Sequence, residues 1–183
     1  MSKYVISRYN HDYSWLPQYT DDYIIYDRSE VPKEGSIIAS NRGSDIYDKL
    51  TFIIDNYDSL PDTIILIKCN LFKYITKEEF NLVKDSQTFT PLLTQHHEEK
   101  PSVSFYKDII YYEINNGWYL NAHPTKESSP KYIGKLMDLL GIWNLQYVPF
   151  APGSNYILPK ENILKHPKEF YIKLRSYLEW DRY

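Results

Sequence analysis

Short apolar runs separated by polar turns define the N-terminal part of the chain. The run YVIS at 4–7 and the run YIIYD at Tyr23–Asp27 predict two buried strands, and SIIAS at 36–40 predicts a brief third extended piece. The uninterrupted apolar run TIILIK at Thr63–Lys68 is bounded by turn residues, which is typical of a central strand buried on both faces. Between the first two strands, SWLPQY predicts a short helix or turn that is interrupted at Pro17.

The segment between the third and the central strand has helical instead of alternating spacing. Its apolar residues recur every three or four positions and therefore fall on one helix face. Ser44 is the expected N-cap, and Asp45 lies favourably at the positive end of the helix. The helix must end before Leu60 and Pro61, because a residue before proline disfavours helical backbone. The residues expected on the inner face are Ile46, Leu50, Ile53, Ile54 and Tyr57.

Helix signals and strand-like runs continue through the rest of the chain. Thr76 and Glu79 have capping-box spacing, and Ser129 followed by Pro130 begins a helix that ends at Gly141. SVSFY and IIYYEI predict two strands of a hairpin, and QYVPF and NYILP predict two more, followed by a short helix. A final amphipathic helix is expected over 166–181. Its inward residues are predicted to be Phe170, Leu174, Tyr177 and Leu178.

These elements predict an α/β fold with one mixed sheet, largely parallel in its N-terminal part and flanked by helices. A length of 183 residues suits a single domain over 1–183. The net charge of −3 provides no basic field for nucleic acid, and the single cysteine, Cys69, excludes an intrachain disulfide. No apolar run is long enough to span a bilayer, and no signal peptide is recognisable, so we expect a cytoplasmic protein.

Polar and aromatic side chains gather where three predicted strands end. In an open α/β sheet, ligands bind beyond the carboxyl ends of the strands, so these side chains are candidates for a binding site. An arginine fork binds phosphate or carboxylate, and a tyrosine can stack on a base or a sugar. A structural alternative stays open, in which Arg8 only forms a local salt bridge with Asp12. The candidates are Arg8, Tyr9, Asn10 and Asp12 after the first strand, Asp27 and Arg28 after the second, and Lys68, Cys69 and Asn70 after the central strand.

Two further stretches carry candidate chemistry. In SNRGSD at 40–45, Gly43 lets the backbone approach a ligand and free N–H groups attract anions, which adds Arg42 to the binding candidates. In YYEINNGWYLNAHP, Glu113, Trp118 and His123 combine a carboxylate, an indole and an imidazole, which suits recognition of carbohydrate hydroxyls and ring faces. The alternative for this stretch is a β-hairpin with a hydrated turn. The run HHEE at 96–99 suggests a metal site, but adjacent side chains rarely converge on one metal ion. It therefore predicts a polar loop.

Four segments together resemble a little-characterised protein family, in which they occur in the same order. They are SRYNHDYSWL, NRGSDIYDKLTFIIDNYDSLPD, VSFYKDIIYYEINNGWYL and FAPGSNYILPKENILKHPKEFYIKL, and they cover nearly the whole chain. The family is one of domains of unknown function seen near surface-polysaccharide genes and in large DNA viruses. It is in turn similar to GT-A-type glycosyltransferases. Its members continue with a further acidic and aromatic segment, so this chain is expected to be a short or trimmed member.

The resemblance implies a nucleotide-sugar site in a nucleotide-binding-like half at about 1–85 and acceptor contacts from about 86–183. Tyr9, Asn10 and Asp12 would then lie near the base and ribose. The central strand of a GT-A fold usually ends in an Asp-x-Asp metal motif, whereas the corresponding place here is Lys68-Cys69-Asn70. Paired carboxylates are absent there, so no metal or other cofactor is expected. Lys68 or Arg8 would instead offset the diphosphate charge, or the activity is lost.

Two functions follow as expectations. The first is a glycosyltransferase that uses a nucleotide-sugar donor and a carbohydrate acceptor in glycan or surface-polysaccharide assembly. An inverting transfer needs one base near the acceptor hydroxyl, and the candidates are Glu113, Asp12 and His123. This function predicts a cleft in which Tyr9, Asn10, Lys68 and Glu113 converge. The second is a non-catalytic GT-A-like module that binds a carbohydrate, a nucleotide or a protein partner, which the missing Asp-x-Asp motif favours.

Overall fold

The chain folds into two compact units in a computed structural model. The large unit comprises Met1–Thr94 with Gly153–Asp181, and the small unit comprises Gln95–Pro152 with Arg182–Tyr183. The expected single domain over 1–183 stays a prediction, and each unit is described by itself below. The structure describes residues 2–40, 43–93, 102–106, 109–114, 147–149 and 154–179. The helix expected after Ser129 lies outside these residues.

Among the described residues, nine strands form two sheets, one in each unit. A mixed sheet of the large unit has the spatial order β3-β2-β1-β4-β9-β5, in which β1 is parallel to β2 and β4, and β9 is antiparallel to β4 and β5. In the small unit, β6 and β7 form the expected antiparallel hairpin, and β8 adds in parallel to β7. The strands are β1 Ser2–Arg8, β2 Tyr23–Asp27, β3 Ile37–Ile38, β4 Thr63–Lys68, β5 Thr90–Pro91, β6 Ser102–Tyr106, β7 Ile109–Ile114, β8 Tyr147–Pro149 and β9 Tyr156–Pro159.

Helices cover both faces of the large sheet, which confirms the predicted α/β class with a six-stranded mixed sheet. Two of the helices have the expected starts: α2 begins after the predicted capping box, and α3 begins directly after Pro159. The α-helices of the described residues are α1 Ser44–Asp55, α2 Lys77–Val83, α3 Lys160–Ile163 and α4 Lys168–Glu179. Short 3-10 helices span Leu16–Gln18, Tyr57–Ser59 and Leu71–Lys73.

The central strand β4 separates two hydrophobic clusters. Ile65 and Ile67 pack into the cluster that contains α2, and Ile64 and Leu66 pack into the cluster that contains α1 and α4. All four side chains are at most 4% exposed. Because successive side chains of a strand point to opposite faces, only a continuous apolar run can serve both clusters. This is the physical reason why the sequence predicts the bounds of β4 correctly.

The start of α1 differs from the prediction. Gly43, not Ser44, is the N-cap, and Gly43 and Ser44 both have left-handed backbone, with φ of 63° and 56°. The Ser44 hydroxyl donates to Asp45 Oδ1 at 3.2 Å and makes no capping bond to the helix. A Cβ atom at position 43 would lie 2.8 Å from the Cβ atom of Leu178 in α4. Glycine is therefore required here both by the backbone conformation and by the close approach of α4.

The inner face of α1 is partly polar, which corrects the predicted apolar stripe. Leu50, Ile53 and Ile54 are buried as expected, but Ile46 is 51% exposed. Asp45, Asp48 and Lys49 are buried in its place, together with Phe52. The first two turns of α1 face the ends of the strands, where they meet charged side chains and not the apolar core. In α4, Phe170, Leu174 and Leu178 pack against the core as predicted, with Tyr171 buried beside them.

Replacement of Phe80 by alanine should destabilise the large unit far more than replacement of Leu82 on the same helix. Phe80 is fully buried, with its ring centroid 5.2 Å from that of Tyr19, whereas Leu82 is 85% exposed. We expect Phe80→Ala to lower the free energy of unfolding by about 3 to 5 kcal/mol and Leu82→Ala by less than about 0.5 kcal/mol. Urea unfolding followed by circular dichroism measures both, and equal losses would contradict the core described above.

Candidate functional site

A cavity of about 320 Å³ opens at the carboxyl ends of β1 and β4. The strand order places β2 and β3 on one side of β1 and β4 on the other, so the chain reverses direction across the sheet between β1 and β4. Such a topological switch point is where open α/β sheets bind their ligands. The cavity is lined by Ser7, Arg8, Tyr9, His11, Arg28, Ser44, Asp45, Lys68, Asn70 and Tyr74.

Arg8 is held by a network that joins the ends of β1 and β2. Its NH1 donates to Asp27 Oδ2 at 2.5 Å and to Ser29 Oγ at 2.7 Å, and its Nε donates to the His11 carbonyl at 3.0 Å. Burial raises the pKa of Asp27, but hydrogen bonds from Ser29, from the Lys33 backbone and from Arg8 outweigh it and lower the pKa to about 2. Asp27 is thus an ionised structural partner, and the local Arg8–Asp12 pair does not form.

A second network lies at the N-terminal end of α1. Lys49 Nζ donates to Asp45 Oδ2 at 2.6 Å and to the Ser154 carbonyl, and Lys68 Nζ lies 3.4 Å from Asp45 Oδ1. Burial raises the pKa of Asp45, yet the charges of Lys49 and Lys68 lower it to about 2. The Lys68 side chain is 31% exposed and its contact with Asp45 is long, so its ammonium group is the more accessible of the two.

Arg28 and Asp48 form a third, more deeply buried pair. Their side chains are in contact and only 6% and 0% exposed. Within the part of the chain that the structure describes, Arg28 Nε and both Asp48 oxygens lack a hydrogen bond of good geometry. Burial outweighs the attraction of Arg28 and the nearby Ser7 hydroxyl, and it raises the pKa of Asp48 to about 6. Of the three carboxylates around the cavity, Asp48 is the one least stabilised in its charged form.

Two tyrosines and an asparagine complete the cavity wall. Tyr9 is 49% exposed at the end of β1, next to Asn10, which has left-handed backbone with a φ of 53°. The Asn10 backbone N–H donates to Ser29 Oγ at 3.0 Å, which fixes this turn. Tyr74 lies with its ring centroid 5.8 Å from Lys68 Nζ. Asn70 Oδ1 is buried without a hydrogen bond among the described residues, so a polar ligand has one acceptor to satisfy.

The structure brings some of the predicted site residues together and leaves others apart. Arg8, Tyr9, Lys68 and Asn70 line the cavity, whereas Asp27 lies behind Arg8. Asn10 contributes its backbone to the rim turn.

Asp12 is exposed and does not line the cavity. It accepts hydrogen bonds from the backbone and hydroxyl of Ser14, which lower its pKa and make it a weaker base. Glu113 belongs to β7 of the small unit, and its position relative to the cavity stays a prediction. Arg42, Trp118 and His123 lie outside the described residues. The expected convergence of Glu113 with Tyr9, Asn10 and Lys68 is thus an untested prediction.

Several cavity residues were not predicted from the sequence. Ser7, His11 and Tyr74 lie close in the sequence to residues that were predicted. This closeness was the only sequence feature that pointed to them. Asp45 was interpreted as a helix-end charge and not as part of a site. Its spacing of four residues from Lys49 was visible as a favourable helical ion pair. What the spacing could not show is that both side chains are buried.

The central strand does not end in a place that fits a divalent metal. Lys68 presents an ammonium group to the cavity, and Asn70 offers one neutral oxygen. The Cys69 thiol is buried, with a pKa raised to about 12, while its carbonyl accepts a hydrogen bond from Trp15 Nε1 at 2.9 Å. Hard divalent cations need several oxygen ligands. The residues that the structure describes contain no group of three or more His, Cys, Asp or Glu able to hold a metal ion.

A protein-family model matches residues 4–182 of the chain. The chain belongs to DUF3431, a family of proteins of unknown function. The match confirms the expected membership in an uncharacterised family over nearly the whole chain, and nothing in it connects DUF3431 with GT-A glycosyltransferases. Neither the curated proteins nor the solved structures compared with the chain give a significant match. In the described part of this DUF3431 chain, every helix is too short or too polar to cross a bilayer.

Replacement of Asp27 by asparagine should destabilise this DUF3431 protein strongly, because Arg8 would lose its buried counter-charge. Loss of one partner of such a pair costs about 3 to 5 kcal/mol, whereas Asp22→Asn, at the exposed end of its pair with Lys3, should cost less than about 1 kcal/mol. Urea unfolding at neutral pH measures the difference.

The same variant should change the acid dependence of stability. The pKa of Asp27 is lowered from 3.8 to about 2 in the folded state. Its contribution is therefore complete above pH 3.8 and is lost as the pH falls toward about 2. The stability of Asp27→Asn should vary less than that of the wild type over this interval. An identical acid dependence in both proteins would mean that the Asp27 carboxylate is not held as described.

Proposed function

We propose that this DUF3431 protein is a glycosyltransferase that binds a nucleotide-sugar donor in the cavity at the ends of β1 and β4. The acceptor would be a carbohydrate in glycan or surface-polysaccharide assembly. The observation that carries the proposal is the position of the cavity at the topological switch point, with guanidinium, ammonium and tyrosine groups in its wall. Open α/β sheets bind nucleotides at this position.

The charges around the cavity favour an anionic ligand. Two of its cationic side chains are guanidinium groups, which match phosphate geometry with two parallel donors. The four cations outnumber the three carboxylates, so a ligand with a diphosphate would improve the local charge balance. The cations are Arg8, Arg28, Lys49 and Lys68, and the carboxylates are Asp27, Asp45 and Asp48.

The size and rim of the cavity favour a nucleotide over a free phosphate. Its volume of about 320 Å³ lies at the lower end of the range for small-molecule sites, roughly 300 to 1,000 Å³, and would hold a diphosphate with an adjoining sugar. Tyr9 offers an exposed ring beside this space, on which a base could stack. Asp45 is ionised in the wall and would accept hydrogen bonds from sugar hydroxyls.

The sequence offers three candidates for the catalytic base of the proposed transfer. Asp12 combines a lowered pKa with a position away from the cavity wall, which argues against it. Glu113 and His123 stay candidates from the sequence. No metal is proposed, because Lys68 and Asn70 occupy the place where a metal-dependent site would need carboxylates. The presence of Lys68 and Asn70 in place of paired carboxylates also favours a second function. This is a non-catalytic module that binds a nucleotide, a carbohydrate or a protein partner.

Replacement of Lys68 by methionine should weaken binding of nucleotide sugars about tenfold. Lys68 is partly exposed at the cavity, and loss of one charge-assisted contact to a phosphate costs roughly 1.4 kcal/mol. Lys73→Met is the matched control, since Lys73 is exposed, follows Lys68 closely and does not line the cavity. Calorimetric titration with a panel of nucleotide sugars and free nucleotides measures both variants.

The same panel separates the two functions. Release of free sugar or transfer to an added glycan, together with binding of one nucleotide class, would support the transferase. Binding of a nucleotide without turnover, or binding of a glycan alone, would support the module. Equal affinities for Lys68→Met and Lys73→Met, or no binding of any nucleotide, would remove the basis for a donor site in this cavity.

A further inference from the structure

Arg28 differs from the other arginine of the cavity in its hydrogen bonding. Arg8 donates to three acceptors at distances of 2.5–3.0 Å, so its guanidinium is well satisfied by the protein. Arg28 contacts the Asp48 carboxylate through its NH2 atom, and its Nε atom makes no hydrogen bond to any described residue. A guanidinium that is 94% buried and keeps unused donors is costly unless a ligand supplies acceptors.

The position of Arg28 makes such a ligand accessible. Arg28 follows β2 directly, and its backbone N–H donates to the Arg8 carbonyl at 3.1 Å, which continues the pairing of β1 and β2 beyond the strands. Its side chain lines the cavity, while Asp48 lies behind it on α1 and is fully buried. The Arg28 side chain therefore lies between a buried carboxylate and an open space.

We propose that Arg28 is the anion anchor of the cavity, and that a phosphate-bearing ligand binds the guanidinium donors that the ion pair with Asp48 leaves free. The identity of the ligand as a nucleoside diphosphate ester rests on the proposed function. The anchor itself does not, because any phosphate or sulfate could occupy it. The class of ligand is an anion with planar pairs of acceptor oxygens, which an arginine fork binds in a bidentate manner.

Binding at Arg28 should take up a proton at Asp48. The ligand adds a negative charge and shares the positive charge that stabilises the Asp48 carboxylate, so the pKa of Asp48 rises above its value of about 6. Affinity should consequently increase as the pH falls toward about 6 and level off below it. To observe this pH dependence of the affinity, the ligand must keep its own charge constant around pH 6.

Other groups near Asp48 could contribute to the same pH profile. Asp45 and Lys49 face it from its own helix, and Tyr26 faces it from β2. Tyr26 in turn interacts with Asp55 of α1 and Arg175 of α4. The pKa of Asp45 is about 2 and that of Tyr26 about 12, which places both outside the range from 5 to 9. His11 also lines the cavity, so it receives a variant of its own.

The test uses the full chain and two probes, a nucleotide sugar and inorganic sulfate. Both keep a constant charge, since neither has the second phosphate ionisation near pH 6 that a phosphate monoester shows. Calorimetric titration from about pH 5 to about pH 9 compares the wild type with Arg28→Lys, Asp48→Asn and His11→Gln. Lys84→Gln, which removes an exposed charge at the end of α2, is the control for net charge.

We expect Arg28→Lys to lose about tenfold in affinity for both probes, because lysine keeps the charge opposite Asp48 but not the planar fork. The retained charge also preserves folding, which thermal unfolding checks. Asp48→Asn should bind more tightly than the wild type at high pH and lose the rise in affinity toward pH 6. His11→Gln and Lys84→Gln should keep the wild-type profile.

Wild-type affinity and profile in Arg28→Lys would overturn the proposal, as would a profile that His11→Gln alone removes. Sulfate binding that depends on Arg28, without any binding of nucleotide sugars, would support the anchor and refute the donor site. Turnover of a nucleotide sugar that is insensitive to Arg28 and Asp48 would support the proposed function and refute the anchor. The two proposals can therefore fail separately.

Discussion

Neutralisation of buried charge at the ends of β1 and β2 is the constraint on which the rest of the large unit depends. The Arg8–Asp27 pair joins these strand ends, and Asp27 also accepts the Ser29 and Lys33 backbone N–H groups that fold the following loop. The loop in turn holds Ser29 Oγ where it fixes the turn after β1. Removal of either charge would leave the other buried and would release both loops that border the cavity.

Three carboxylates near one cavity show how environment alone assigns different roles to the same group. Asp27 and Asp45 are surrounded by donors and cations, which lower the pKa of each to about 2. Asp48 is paired with a single guanidinium and has a pKa raised to about 6. The first two are fixed charges that build the wall, whereas the third responds to whatever shares its arginine. The cavity is thus bordered by two carboxylates that stay ionised and one that titrates near pH 6.

Much of the fold could be predicted because its strongest signals are local. The bounds of β2 and β4 follow from continuous apolar runs, and the start of α2 follows from a capping box whose two hydrogen bonds both form. For the site, the sequence predicted only that the residues following three strands would lie near a ligand, and not which of their side chains are in contact. The burial of Asp48 and Lys49 was missed because helical periodicity assumes an apolar inner face, which does not hold where a helix faces strand ends. Contacts such as that of Lys49 with Ser154, 105 residues away, depend on tertiary structure alone.

The position of β9 in the sheet has a consequence for how the protein is synthesised. β9 comes from residues 156–159 but lies between β4 and β5, and α4 packs its Leu178 against Gly43. During translation, one edge of β4 therefore stays unpaired until residues 156–159 have left the ribosome. Unpaired edges of apolar strands are sites of aggregation. In the folded protein this edge is covered by β9, so its protection depends on the C-terminal elements of the large unit.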